Sequence, residues 1–303
     1  MHLLLQGNVL MGLLAALFWG GGDFSGGMSA KHAGGTVGAA LRVILLSHFA
    51  SFCVLVTIAS LRGDALPHGA ALAWGLFAGV LGGLSLTGFY IALARGAMGA
   101  SAAVSGLLAA AIPAVFSIAS EGVPGATRVA GFLVAGVAIW LIAAAPTGVL
   151  EKPEAQDAST MILAIGAGAG FGVYFVALKM AGAAGIAWPM ASARVGSLAT
   201  CAVLLLVLTA TARRRPGVSA IARGRLTRRA VLWALSTAAL DTSGNLLFLS
   251  ATRAGRLDVA AVLASMYPAS TILLAAWVLK ERFSRRQGIG MAIAAVAVIL
   301  ITL

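Results

Sequence analysis

Charge is what this chain has least of. Only 10% of its 303 residues are charged, and nine of those are carboxylates. An ordinary soluble domain is about 25% charged, so a water-facing globular surface is excluded. Cysteine is equally scarce: Cys53 and Cys201 both lie inside apolar runs, which argues against a disulfide framework or a thiolate metal site. The four histidines (His2, His32, His48 and His68) have no ligand spacing, so no metal is expected. The glycine-rich stretch 166–172 lies inside an apolar run and lacks a following Lys-Ser/Thr, so it is not a phosphate loop and ATP is not expected as a driving force. Neither His-Glu-x-x-His nor Gly-x-Ser-x-Gly occurs, and the chain is read as no enzyme and as needing no cofactor.

What is there is hydrophobic. The chain is 60% apolar, with a mean hydropathy of +1.00. Ten runs are long enough to span a bilayer: 8–29, 36–60, 69–94, 98–119, 129–145, 159–182, 187–210, 230–252, 257–279 and 287–303. The first could pass for a signal peptide. It lacks a basic leading region, and its Trp19-Gly20 pair is echoed later, so it is read as a helix. The net charge of +12 could suggest nucleic acid. The arginines cluster beside the apolar runs, however, where they set topology and meet anionic headgroups; the expected partner is the lipid bilayer, not nucleic acid.

The chain repeats itself. At a spacing of 152, Trp19-Gly20 matches Phe171-Gly172, and Ala39 to Val43 (AALRV) matches Ala191 to Val195 (ASARV). The spacing then becomes 159: Trp74 matches Trp233, Phe89 matches Phe248, Gly96 matches Gly255, and the run from Gly131 to Ala138 matches that from Gly290 to Ala297. The change follows from a longer arginine-rich loop near Thr211 to Arg229. An odd number of spans per copy gives the second copy the opposite orientation, as in many secondary transporters. The expected fold is an all-α integral membrane protein of ten transmembrane helices, two inverted five-helix repeats around a central cavity. Residues 1–146 form the first repeat, 147–158 a polar linker and 159–303 the second repeat.

Loops on one side carry 14 Lys and Arg, seven of them between Arg213 and Arg229; the other side carries 5 (Arg62, Arg128, Lys179, Arg253 and Arg256). The positive-inside rule places the arginine-rich side in the cytoplasm and both termini outside. Small residues recur every four positions at Gly75, Gly79 and Gly83 and again at Gly168 and Gly172, a pattern that lets helix backbones approach in lipid. Three backbone interruptions are expected at Gly20–Gly27, Pro113 and Pro268. They mark cavity walls or ordinary packing kinks.

Charges within spans ask for a reason, since one at the bilayer centre costs about 2.5–3.5 kcal/mol on insertion scales. Asp241 is the clearest case. With Thr237 and Asn245 it forms an i, i+4, i+8 stripe on one helix face. Its repeat equivalent is Gly82, so the feature belongs to one half only. Its readings are a substrate amine contact, a proton carrier or a structural pair with an arginine. Asp23 sits among the glycines of the first span. Arg42 and Arg194 are repeat mates that snorkel to the headgroups, pair with Asp23 or Asp241, or contact a substrate carboxylate directly. Trp19, Tyr90, Tyr174, Ser265 and Tyr267 complete the candidate substrate-binding cavity, although each taken alone reads as helix packing.

The two five-span copies, the Trp19-Gly20 pair, Ala251-Thr252-Arg253-Ala254-Gly255 leading to Tyr267-Pro268, and the closing Leu279-Lys280-Glu281-Arg282 before a glycine-containing span resemble the EamA type of the drug/metabolite transporter superfamily. The resemblance runs through both copies. The first departs from it at Pro113, which falls about one turn late, and at Glu121, which is followed by glycine instead of arginine. It implies a ten-helix carrier that exports small metabolites, most often amino acids, by alternating access across the cell (inner) membrane. A proton is a candidate coupling ion. Members often keep both termini in the cytoplasm, the reverse of the arginine count. Drugs, nucleosides or lipid-linked sugars are the alternative cargo; a channel, receptor or intramembrane enzyme is a different class.

Overall fold

The computed structural model describes residues 2–94, 98–143, 158–214, 219–278, 280 and 284–302. Every regular element among them is helical. They are α1 (His2–His32), α2 (Val37–Arg62), α3 (Gly69–Ala94), α4 (Met98–Glu121), α5 (Ala126–Ala143), α6 (Ala158–Ala181), α7 (Ala187–Arg214), the single turn α8 (Ser219–Ala222), α9 (Arg228–Ala254), α10 (Leu257–Ala264), α11 (Tyr267–Val278) and α12 (Arg285–Thr302). A short 3₁₀ turn, Gly182–Ala184, links α6 to α7. Nearly all of the expected linker, 147–157, lies outside the described residues.

Eight helical segments are long and apolar enough to cross a membrane, with α10 and α11 together making one of them. The α5 segment Ala126–Ile142 is equally apolar but shorter. Although α9 runs for 27 residues, it falls outside the eight and carries the polar stripe with Asp241. Large apolar side chains such as Leu133, Ile162 and Leu206 point outward at 67–70% exposure, a surface that suits lipid and not water.

Of the three expected interruptions, one is present. α1 runs unbroken through Gly20–Gly27, and α4 runs unbroken through Pro113. The glycines of α1 serve close approach. A Cβ on Gly20 would lie 2.7 Å from the Tyr267 carbonyl oxygen, and one on Gly22 would lie 3.3 Å from the Asp241 backbone nitrogen. Pro113 removes a donor to the Ala109 carbonyl without ending the helix. The ninth run does divide, at Ser265–Met266 between α10 and α11. Pro268 then stands in the first turn of α11, where a missing N–H is tolerated.

Helix pairing exchanges between the two halves. α1 packs along α9 and beside α10 and α11; α6 packs along α3 and beside α4. Repeat equivalents also meet each other. In α5 and α12, a Cβ on Gly131 would reach Ile301 at 2.8 Å, and one on Gly290 would reach Ile142 at 2.8 Å. The start of each helix therefore touches the end of the other, so the two run antiparallel. In α2 and α7, His48 meets Ser197 and Ser51 meets Arg194, again antiparallel.

Both ends of the bundle are tied by polar contacts. At one end Lys179 pairs with Glu121. Nearby, Arg256 donates to the Gly122 carbonyl at 2.7 Å and to Asp258 at 2.7 Å, and Asp258 is fully buried. At the other end residues 222–227 lie across the α1–α2 turn. The Arg225 amide donates to the Ala33 carbonyl at 2.9 Å, the Thr36 hydroxyl donates to the Arg223 carbonyl, and a Cβ on Gly224 would lie 2.7 Å from the Ala39 Cα. Thr36 and Thr227 cap α2 and α9 in the same region, each accepting from a backbone amide at 3.1 Å.

The α5–α12 crossing yields a stability test. Gly290→Ala forces a Cβ within 2.9 Å of the Ile142 backbone nitrogen, whereas Gly136→Ala meets only a Leu107 methyl at 3.7 Å. Gly290→Ala is expected to destabilise by about 1–3 kcal/mol and Gly136→Ala to be near neutral, measured as melting temperatures in detergent.

Candidate functional site

A cavity of about 90 Å³ lies where α1, α2, α3, α4, α6, α7, α9 and α11 converge. Several waters fit such a volume. One wall is charged: Asp23 of α1, Asp241 of α9, and Arg194 and Ser197 of α7, with His48 of α2 behind. Aromatic rings supply much of the remaining lining: Trp19, one turn from Asp23 on α1, with Phe89, Phe171, Tyr174, Phe175 and Tyr267.

Arg194 organises the charged wall. It is only 4% exposed, so its charge requires partners. Its Nη2 donates to Asp241 Oδ2 in an ion pair. Its Nε donates to Ser51 Oγ at 2.9 Å, and its Nη1 faces His48 Nε2 at 3.2 Å. A guanidinium can only donate, so His48 Nε2 accepts and the ring proton sits on Nδ1. That proton is donated to Ser197 Oγ at 2.7 Å, and the Ser197 hydroxyl passes its own proton to the Arg194 carbonyl at 3.0 Å. The Ser51 and Thr242 hydroxyls are hydrogen-bonded at 2.5 Å. α2, α7 and α9 are thereby joined through one guanidinium.

A second link connects α6 to α9. The Tyr174 hydroxyl donates to Asn245 Oδ1 at 2.6 Å, and Asn245 Nδ2 donates to the Asp241 backbone carbonyl at 2.7 Å. The aromatic lining is built by stacking. Trp19 lies nearly parallel to Phe175, with ring centres 5.1 Å apart, and Phe248 closes behind both. Glycines make room for these rings. A Cβ on Gly244 would lie 2.8 Å from the Trp19 indole nitrogen, and one on Gly82 would lie 3.3 Å from the Tyr174 ring.

Asp23 differs from Asp241. It adjoins Gly22, whose Cα packs on Asp241, yet among the described residues its carboxylate has no hydrogen-bond or ion-pair partner. The cavity thus holds two carboxyl groups and one guanidinium, and only Asp241 is paired with that guanidinium among the described residues.

Of the residues expected at the site, Trp19, Asp23, Tyr174, Arg194, Asp241, Asn245 and Tyr267 line this cavity. Thr237 does not. It is buried one turn away on α9, with its hydroxyl on the Trp233 carbonyl at 3.0 Å. Ser265 is fully buried at the α10–α11 joint and is off the cavity. Arg42 lies elsewhere, its Nη1 on the carbonyls of Gly38 (2.8 Å) and Ala222 (3.0 Å). The Tyr90 side chain lies outside the described residues. His48, Ser51 and Ser197 were missed. The available signal was His48 and Ser51 spaced i, i+3 within an apolar span, a polar stripe like that of α9. Among the described residues, no group of His, Cys, Asp and Glu is arranged to hold a metal.

Residues 158–303 match the model of the EamA-like transporter family. That match covers just under half of the chain and shows what those residues are similar to. No curated protein matches the chain. Among solved structures 17 chains match; one is a crystal structure of a protein 17% identical, with a TM-score of 0.73 over 97% of this chain and 96% of that one. That likeness is one of fold.

The two aspartates should respond oppositely to neutralisation. Asp241→Ala strands the Arg194 guanidinium and is expected to cost about 3 kcal/mol, the low end for a buried pair because Asp241 keeps 30% side-chain exposure. Asp23→Asn removes a partnerless carboxyl group and is expected to leave stability unchanged or to raise it by about 1 kcal/mol. Melting temperatures of the two purified variants decide the matter.

Proposed function

We propose that the chain is a multi-pass carrier of ten spans, two five-helix copies of opposite sense, that moves small amine-bearing metabolites through this cavity by alternating access. Amino acids are the favoured cargo, exported across the cell membrane. The antiparallel meeting of repeat equivalents, α5 with α12 and α2 with α7, supports the inverted arrangement. The 17%-identical structure of the same fold is in keeping with it.

The observation that carries the cargo assignment is the partnerless Asp23 in a cavity lined by aromatic rings. An ammonium group fits against that carboxylate, and a hydrocarbon or aromatic side chain fits against Trp19 and Phe171. Arg194 is committed to Asp241, Ser51 and His48, so it orients the carboxylates more than it offers itself to substrate. A substrate carboxylate would rely on neutral donors such as the Tyr267 hydroxyl. The unpaired Asp23 carboxyl group also favours a second cargo, an organic cation with no carboxylate. In either case Asp23 is the candidate exchanger of substrate for a proton.

Alternating access requires the two ends to open in turn. The Lys179–Glu121 pair and the Arg256 contacts tie helices together at one end and would have to part for that end to open. The break between α10 and α11 sits beside the cavity residue Tyr267.

The test is counterflow in proteoliposomes. Preloaded unlabelled amino acid should accelerate uptake of the labelled one, and Asp23→Asn should reduce exchange at least tenfold. Exchange of an organic cation but no amino acid would transfer the assignment to the second cargo. Saturable flux without counterflow, or none for any panel member, overturns the carrier reading.

A further inference from the structure

A second cavity, of about 420 Å³, lies at the far end of the bundle from Arg256, between the start of α2, the end of α7 and the segment that crosses the α1–α2 turn. Arg42, Arg213 and Arg223 line it, with Thr209 between them. We infer that this cavity is a binding site for a phosphate group, presented as an anionic lipid headgroup or as a free phosphate.

The first argument is charge. Three guanidiniums converge and no acid is available from their own elements: the sequence holds no Asp or Glu from residue 24 to 63, nor from 158 to 240. Among the described residues neither Arg213 nor Arg223 has an anionic partner. Arg42 spends Nη1 on two backbone carbonyls and keeps Nε and Nη2 uncommitted. A counter-anion must therefore come from outside these elements. Guanidinium is the side chain best matched to phosphate, because its planar N–H fork meets two oxygens at once.

The second argument is construction. Arg42 is not a freely waving surface residue; the Gly38 and Ala222 carbonyls hold one edge of its guanidinium, and Gly38 itself packs against the Ala222 backbone. Arg223 is fixed by its neighbours, through Thr36 on its own carbonyl and Arg225 on Ala33. The Arg42 guanidinium is thus placed before any ligand arrives, and the backbone that carries Arg223 is held beside it. The third stands in the last turn of α7, where an apolar helix leaves the membrane, the depth at which lipid phosphates lie. Repeat symmetry adds a contrast. Arg194 turns inward to Asp241, whereas Arg42, whose corresponding neighbour would be Gly82, has no carboxylate to turn to and faces this cavity.

The inference needs only a bilayer-embedded bundle and does not depend on the cargo. The full chain in neutral detergent is titrated with short-chain phosphatidylglycerol, phosphatidylcholine, inorganic phosphate, or chloride at matched ionic strength, and its melting temperature is followed. Phosphatidylglycerol is expected to raise it saturably by several degrees, with phosphatidylcholine and chloride inert. Arg213→Gln/Arg223→Gln, whose lost groups have no described partner, should abolish at least four fifths of that rise. Arg229→Gln, outside the cavity, should keep it. A rise with millimolar inorganic phosphate, lost in the same double variant, supports the site and assigns it to a free phosphate. An equal rise in wild type and double variant, an equal rise with chloride, or no rise with either phosphate source overturns it.

Discussion

A guanidinium buried in an apolar bundle must be neutralised where it stands, and most of the central architecture follows from that requirement. Arg194 needs an anion, and α9 supplies Asp241. It needs acceptors for its remaining protons, and α2 supplies Ser51 and the unprotonated nitrogen of His48. Each partner comes from a different helix, so the demand of one buried charge fixes three helices in register. Glycines allow this by bringing backbones close enough for short side chains to reach. Gly22 lets α1 rest directly on Asp241, and Gly196 on α7 rests on the Leu76 carbonyl of α3.

Segments that match in the sequence repeat carry different chemistry. In one copy Gly82 faces Tyr174; in the corresponding pair Asp241 faces Gly22. Each pair joins a glycine to a larger residue, but the larger residue changes helix and kind. Tyrosine comes from α6 and donates to Asn245, whereas aspartate comes from α9 and its carboxylate pairs with Arg194. The departure from symmetry thus sets different hydrogen-bonding groups at the two places, where a symmetric pore would have lined two equal sides. The two repeat-mate arginines diverge for the same reason: one has a carboxylate opposite it and the other has a glycine.

Much of this was legible in the sequence. The spans were visible because a bilayer imposes length and hydropathy, and the observed ends fall within a few residues except at α1, which begins earlier. Asp241 and Arg194 stood out because a charge in an apolar run is costly. What was hidden depended on contacts between distant segments. His48 and Ser51 mark a polar stripe in α2, but nothing local names their partner, which is a residue 146 positions from His48. Gly20 and Gly22 read as breaks but act as points of closest approach, a distinction that only the partner helix reveals. The arginine-rich loop displayed its charge and concealed its docking, because that rests on backbone groups of residues 33–39.

The joint between α10 and α11 carries one last implication. Pro268 has no amide proton, so the carbonyl of Ala264 lacks its usual donor in the resting structure. One rung of the helical ladder is already missing at that point, beside the residue whose ring borders the central chamber. Rotating the outer segment against the inner one would therefore begin from a backbone already opened, whereas α4, which also lacks a rung at Pro113, stays continuous. The seam is a ready-made elbow, and it lies in the second copy, where Asp241 and Asn245 also reside.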